Sequence, residues 1–125
     1  MESKNKILIV DDDMDVLTSM IILLRNKGYQ VEGTLNGEET IVRTERFRPD
    51  LIIMDVLLSD VNGKDICKKL KETNETKSIP VILISASELL EKAINDCGAN
   101  AFINKPFTIP YLLGEVEGYL HQELN

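Results

Sequence analysis

Short continuous runs of apolar residues alternate with segments of helical periodicity along nearly the whole chain, and this alternation constrains the fold more than any other feature. The runs are Lys6-Ile7-Leu8-Ile9-Val10, a shorter one around Tyr29 to Glu32, Leu51-Ile52-Ile53-Met54, Val81-Ile82-Leu83-Ile84 behind Pro80, and Ala101-Phe102-Ile103-Asn104. Apolar residues in continuous rather than alternating order predict strands covered on both faces. Between and after them, apolar residues recur every three or four positions. Val16, Leu17, Met20, Ile21 and Leu24 predict a first helix closed by Gly28, and Ile41, Val42 and Phe47 the inward face of a second, capped by Asn36. Ile66, Cys67 and Leu70 mark a third helix, and Leu89, Leu90, Ala93, Ile94 and Cys97 a fourth that ends at Gly98. Thr108 caps the fifth, with Pro110 in its first turn and Leu112, Leu113, Val116 and Leu120 on its buried face. Five strand–helix units of this kind predict an α/β fold, a parallel sheet with helices on both faces. Pattern alone leaves the strand order open.

Composition narrows the function. The 125 residues carry 14 Lys plus Arg against 21 Asp plus Glu, a formal charge of −7, with no basic run to serve as a nucleic-acid surface. The apolar stretches are too short to cross a bilayer, and the N-terminus lacks a secretory pattern, so no membrane insertion and a cytoplasmic location are expected. Cys67 and Cys97, the only cysteines, fit neither a CxxC site nor a disulfide framework and are expected to be small buried hydrophobes. Without a linker, repeat or low-complexity tract, residues 1–125 are expected to form a single domain.

In such folds ligands gather outside the carboxyl ends of the strands. There the first strand delivers Asp11-Asp12-Asp13, the third Asp55, the fourth Ser85 and the fifth Lys105-Pro106. Converging carboxylates repel one another unless a cation relieves them, and an all-oxygen donor set points to a hard ion such as Mg²⁺. Together with a lysine and a hydroxyl, such a cleft suits phosphoryl transfer to a carboxylate. Asp13 has a plainer role available, as N-cap of the first helix.

These residues, in this order, resemble the receiver domain of two-component response regulators. The resemblance runs through Ile7-Leu8-Ile9-Val10-Asp11-Asp12, Ile53-Met54-Asp55, Gly63, Ile84-Ser85-Ala86, Gly98-Ala99 and Lys105-Pro106-Phe107. It implies a flavodoxin-like (CheY-like) doubly wound sheet of five parallel strands in the order 2-1-3-4-5 with five helices. It also implies roles. Asp55 would be the phosphoacceptor, Asp12 a direct ligand of Mg²⁺, Asp11 a ligand through water, and the Leu57 carbonyl the rest of the protein's metal shell. Ser85 would bond the phosphoryl group, Lys105 would pair with it, Phe102 would swing inward behind Ser85, and the Lys105–Pro106 bond would be cis. The donor would be a sensor histidine kinase or histidine phosphotransfer protein, and the output a downstream protein target, with homodimerisation on phosphorylation one open mode. On this view the chain is a signalling switch that catalyses its own phosphorylation and dephosphorylation, not a metabolic enzyme.

The chain departs from the family at Ser59, where proline is common, so the loop after Asp55 is expected to be less rigid. Leu57 and Ser87 occupy positions associated with the lifetime of the aspartyl phosphate. The lack of Lys and Arg from Thr108 to Leu120 argues against the dimer salt bridges of OmpR-like transcription factors. A stand-alone receiver and a receiver cut from a larger regulator or hybrid kinase both stay open.

Other signals carry less. Asp11, Asp13 and Asp15 have EF-hand spacing, but Val16 and Ile22 stand where that loop needs Gly and Glu. His121, Lys68, Lys69 and Lys71 are expected to be solvated surface residues. A phosphorylation-independent interaction domain on the same fold is the rival function. A small-molecule enzyme is disfavoured because neither GxGxxG nor a Walker loop is present.

Overall fold

The computed structural model describes residues 5–86 and 94–121. Strands β1 (Lys6–Val10), β2 (Gln30–Thr34), β3 (Leu51–Asp55), β4 (Val81–Ser85) and β5 (Ala101–Asn104) form one parallel sheet in the order β2-β1-β3-β4-β5. The helical segments are α1 (Met14–Asn26), α2 (Thr40–Phe47), α3 (Gly63–Glu72), α4 (Ile94–Cys97) and α5 (Ile109–Leu120). Ser87, Leu89, Leu90 and Ala93 lie outside the described residues.

The continuous apolar runs are explained by the two faces of the sheet. Ile7, Ile9, Leu51, Ile53, Ile82, Ile84 and Ile103 pack with Leu17, Met20 and Leu24 of α1 and with Leu112, Val116 and Leu120 of α5. Leu8, Val10, Ile52, Met54, Val81 and Leu83 pack on the other side with Ile66, Cys67 and Leu70 of α3 and with Cys97. Both cysteines are buried thiols, as expected. Each fully buried Leu or Ile contributes about 1.5–3 kcal/mol, so the central strands hold the sheet's position firmly.

Several helix ends follow the sequence closely. Asp13 caps α1, its carboxylate accepting from the N–H groups of Asp15 and Val16, and Thr108 caps α5 by accepting from Tyr111 N–H. Gly28 and Gly98 follow their helices at φ +98° and +83°, a region open to glycine without strain.

Two expectations are corrected. Asn36 makes no side-chain cap: a 3-10 turn, Gly37–Glu39, precedes α2, and while Ile41 and Phe47 pack inward as expected, Val42 is exposed and the most buried positions of α2 are Thr40 and Thr44. Both threonines are buried with hydroxyl oxygens that find no hydrogen-bond partner among the described residues, a placement that a reading of polar against apolar types does not detect. Lys71 is not simply solvated. Its ammonium donates to Ile79 O at 2.7 Å and to Asn100 Oδ1 at 2.8 Å, tying the end of α3 to the turn before β5, and burial lowers its pKa.

Candidate functional site

Because all five strands are parallel, their carboxyl ends share one edge, and the side chains just beyond that edge meet. Asp11 and Asp12 follow β1, Asp55 ends β3, Ser85 ends β4 and Lys105 follows β5. The register sets Asp55 beside Ile84 and Ser85 beside Asn104. Asp11, Asp12 and Asp55 each offer a carboxylate oxygen within 4.8 Å of the others. Lys105 reaches into the cluster, its Nζ lying 2.9 Å from Asp55 Oδ2 and 3.7 Å from Asp11 Oδ2. Ser85 is buried, and its carbonyl accepts from Lys105 N–H at 2.9 Å, fixing the backbone from which the lysine extends. The Lys105–Pro106 peptide is cis.

The three consecutive acids divide their work. Asp13 turns outward to cap α1, while Asp11 is 3 % exposed and accepts from Asp13 N–H through Oδ1 at 2.9 Å. Asp55 Oδ1 accepts from Leu57 N–H at 3.0 Å, so each oxygen of Asp55 has a partner on the protein. Leu57 itself is exposed at the rim. Phe102 lies on β5 beside Leu83, half-buried against the α3 side of the sheet. Gly63 opens α3 directly over Asp55, where a β-carbon would fall 2.4 Å from the Asp55 carbonyl oxygen. Only glycine permits this approach. His121 follows the C-terminal end of α5, and Tyr119 near that end bonds Asn100 before β5, so the histidine lies toward the opposite edge of the sheet.

Electrostatics reflect the crowding. Burial pushes the Asp11 carboxyl up, and the charges of Asp55 and Asp12 add to the shift against the opposing pull of the Asp13 N–H and Lys105. For Lys105, burial works to lower the pKa, but the hydrogen bond and charge of Asp55 and the charge of Asp11 outweigh it and hold the ammonium protonated. The triad is able to hold a metal ion, and its donors are all carboxylate oxygens, the set preferred by hard divalent cations.

Two contacts here were not anticipated. Ser59 Oγ donates to Asp12 Oδ2 at 2.5 Å, and the Asp60 carboxylate accepts from Gly37 and Glu38 N–H at 3.1 and 3.0 Å. Ser59 was expected to loosen its loop, whereas it ties the loop to the site. The departure from proline was the visible signal; the partner, 47 positions away, was not.

Residues 7–117 match the family model of the response regulator receiver domain. The chain belongs to the response regulator receiver family. Receivers are switches of two-component signalling, so the chain is not a metabolic enzyme, and membership implies a histidine kinase partner. The receiver is 34 % identical over 116 residues to the polar-differentiation response regulator DivK of Brucella anthropi, covering 91 % of this chain and 94 % of that one. Among solved structures, the receiver domain of a signal transduction histidine kinase from Syntrophus aciditrophicus superposes with a TM-score of 0.87 at 34 % identity, covering 94 % of this chain and 91 % of that one. The BeF3-activated receiver domain of DrrB gives 0.82 at 30 % identity, covering 97 % and 99 %. The chain spans about half the length of several longer curated regulators that it also matches. Among the described residues no helix is long and apolar enough to cross a membrane.

Proposed function

We propose that Asp55 accepts a phosphoryl group from the phosphohistidine of a sensor histidine kinase or histidine phosphotransfer protein, with Mg²⁺ held by Asp11, Asp12, Asp55 and the carbonyl of Leu57. The observation that carries this reading is Lys105 Nζ at 2.9 Å from Asp55 Oδ2 within a cluster of three carboxylates. A buried acid cluster is costly by itself, and the oxygen-only donors fit a hard divalent ion better than any softer metal. When bound, the ion supplies positive charge to the oxygens of the transferring group.

The chain's own groups do the rest. A carboxylate oxygen of Asp55 forms the new O–P bond as the P–N bond to the donor imidazole breaks, and the electron pair stays with that nitrogen. Leu57 N–H and Lys105 hold the two Asp55 oxygens beforehand, so the nucleophile enters the reaction already oriented. Lys105 then pairs with the phosphoryl oxygens, and the Ser85 hydroxyl, at the end of the adjacent strand, donates to one of them. Drawing Ser85 inward opens space behind it for the half-buried Phe102, which alters the surface formed by α4, β5 and α5.

Residues 1–125 form one receiver domain on this reading, and it works in the cytoplasm through a downstream protein target rather than direct nucleic-acid contact. The net charge of −7 and the absence of Lys and Arg from α5 support a protein partner. Homodimerisation on phosphorylation is a second mode by which the altered face could be read. The resemblance to a receiver solved in BeF3-activated form supplies the test. Mg²⁺ with beryllofluoride is expected to shift the amide NMR signals of Ser85, Phe102 and Lys105, and Asp55→Asn to abolish those shifts. A wild-type response in the Asn variant would refute the assignment of Asp55.

A further inference from the structure

The loop between β3 and α3, residues 57–62, is held at both its base and its tip. At its base Leu57 and Asn62 form an isolated antiparallel bridge, and Asn62 Oδ1 accepts from Lys64 N–H at 2.8 Å as the cap of α3. At its tip two adjacent side chains reach in different directions. Ser59 Oγ donates to Asp12 beyond β1, while the Asp60 carboxylate accepts from both N–H groups that open the turn before α2. Gly37 at that turn leaves room for the loop, since a β-carbon there would fall 2.4 Å from Val61 Cγ2 and 2.8 Å from Leu58 Cδ1.

We infer that Ser59 and Asp60 are positioning residues, which set the cation site by clamping this loop at two points and by fixing the orientation of the Asp12 carboxylate. The inference rests on the reading of Asp12 and the Leu57 carbonyl as metal ligands. Asp12 is only partly buried, so without a fixed partner its carboxylate could rotate into solvent. The Ser59 hydroxyl occupies one lone pair of Oδ2 and leaves the remaining lone pairs of the carboxylate for a cation. Asp60 acts farther out. By accepting from Gly37 and Glu38 it stops the tip from lifting, and so keeps Leu57, two residues before Ser59, at the height of Asp55. Hydrogen-bonded partners behind a metal ligand commonly govern affinity as strongly as this.

The test is a Mg²⁺ titration of the full chain, without phosphodonor, followed by amide NMR shifts at Asp12, Leu57 and their neighbours. Ser59→Ala is expected to weaken Mg²⁺ binding by about 10-fold, and Ser59→Thr, which keeps the hydroxyl, to stay within about twofold of wild type. Asp60→Ala is expected to weaken binding in the same direction, with Asp60→Asn, which retains one acceptor oxygen, between it and wild type. Unfolding midpoints measured without Mg²⁺ separate loss of positioning from loss of fold. Ser59→Ala binding Mg²⁺ as tightly as wild type would overturn the inference alone. A wild-type chain that shows no saturable response to Mg²⁺ would overturn the metal site itself, and the inference with it.

Discussion

Asp11 is the most deeply buried of the three clustered acids, and the balance of forces on it has a measurable consequence. Burial, reinforced by the charges of Asp55 and Asp12, raises its carboxyl above the ordinary value of 3.8 even though Lys105 and the Asp13 N–H oppose the shift. The native state therefore holds a proton on Asp11 at pH values where the unfolded chain has lost it. Stability from this group is fullest below about pH 3.8 and falls as pH rises through the higher folded pKa. At neutral pH the ionised side chain costs stability. Asp11→Asn keeps an oxygen for the Asp13 N–H and removes the charge, so in metal-free buffer it is expected to raise stability at neutral pH by about 1 kcal/mol. That gain should shrink in acid buffer, as the pH falls through the raised folded pKa and the wild type takes up its proton. Urea midpoints at the two pH values check both parts, and a variant less stable than wild type at neutral pH would count against the account.

At the scale of elements, the start of α3 shows how closely the fold fits its site. Gly63 sits so near the end of β3 that a β-carbon would meet the Asp55 carbonyl oxygen at 2.4 Å and Val56 Cα at 3.0 Å, and backbone cannot step aside as a flexible side chain could. Gly63→Ala is expected to cost about 1–3 kcal/mol, read as a lower urea midpoint, and to slow phosphorylation of Asp55 by displacing it. An unchanged midpoint would show that α3 can slide outward freely. Much at this scale was legible in the residues themselves. The buried strands declared themselves by continuous apolar runs, and Asp13, Thr108, Gly28 and Gly98 marked helix ends by local chemistry that needs no distant partner. What escaped was tertiary. The entry to α2 is capped from Asp60, more than twenty positions away, instead of from Asn36. On α2, Ile41 and Phe47 pack inward as read, but the most buried positions are Thr40 and Thr44, whose side chains read as polar in any pattern. Lys71 looked like one more surface lysine until the Ile79 carbonyl and Asn100 came within its reach.

Over the whole molecule, a parallel sheet concentrates chemistry without any sequence proximity. Residues 11, 12, 55, 85 and 105 belong to four different strand ends, and only the shared direction of those strands makes them neighbours. The residues of this cluster were visible in the sequence because each stands directly after an apolar run. The strand order that brings β1, β3, β4 and β5 side by side was not, since periodicity records burial and not adjacency; it came from family resemblance. The central claim is that this cluster is one Mg²⁺-dependent phosphoacceptor site with Asp55 as the acceptor. Incubation with acetyl phosphate, followed by intact mass and peptide mapping, tests it directly. The account predicts one phosphoryl group per chain, located on Asp55, that appears with Mg²⁺ and fails to appear when the metal is chelated. Phosphorylation at another residue, or equal incorporation without a divalent ion, would contradict it.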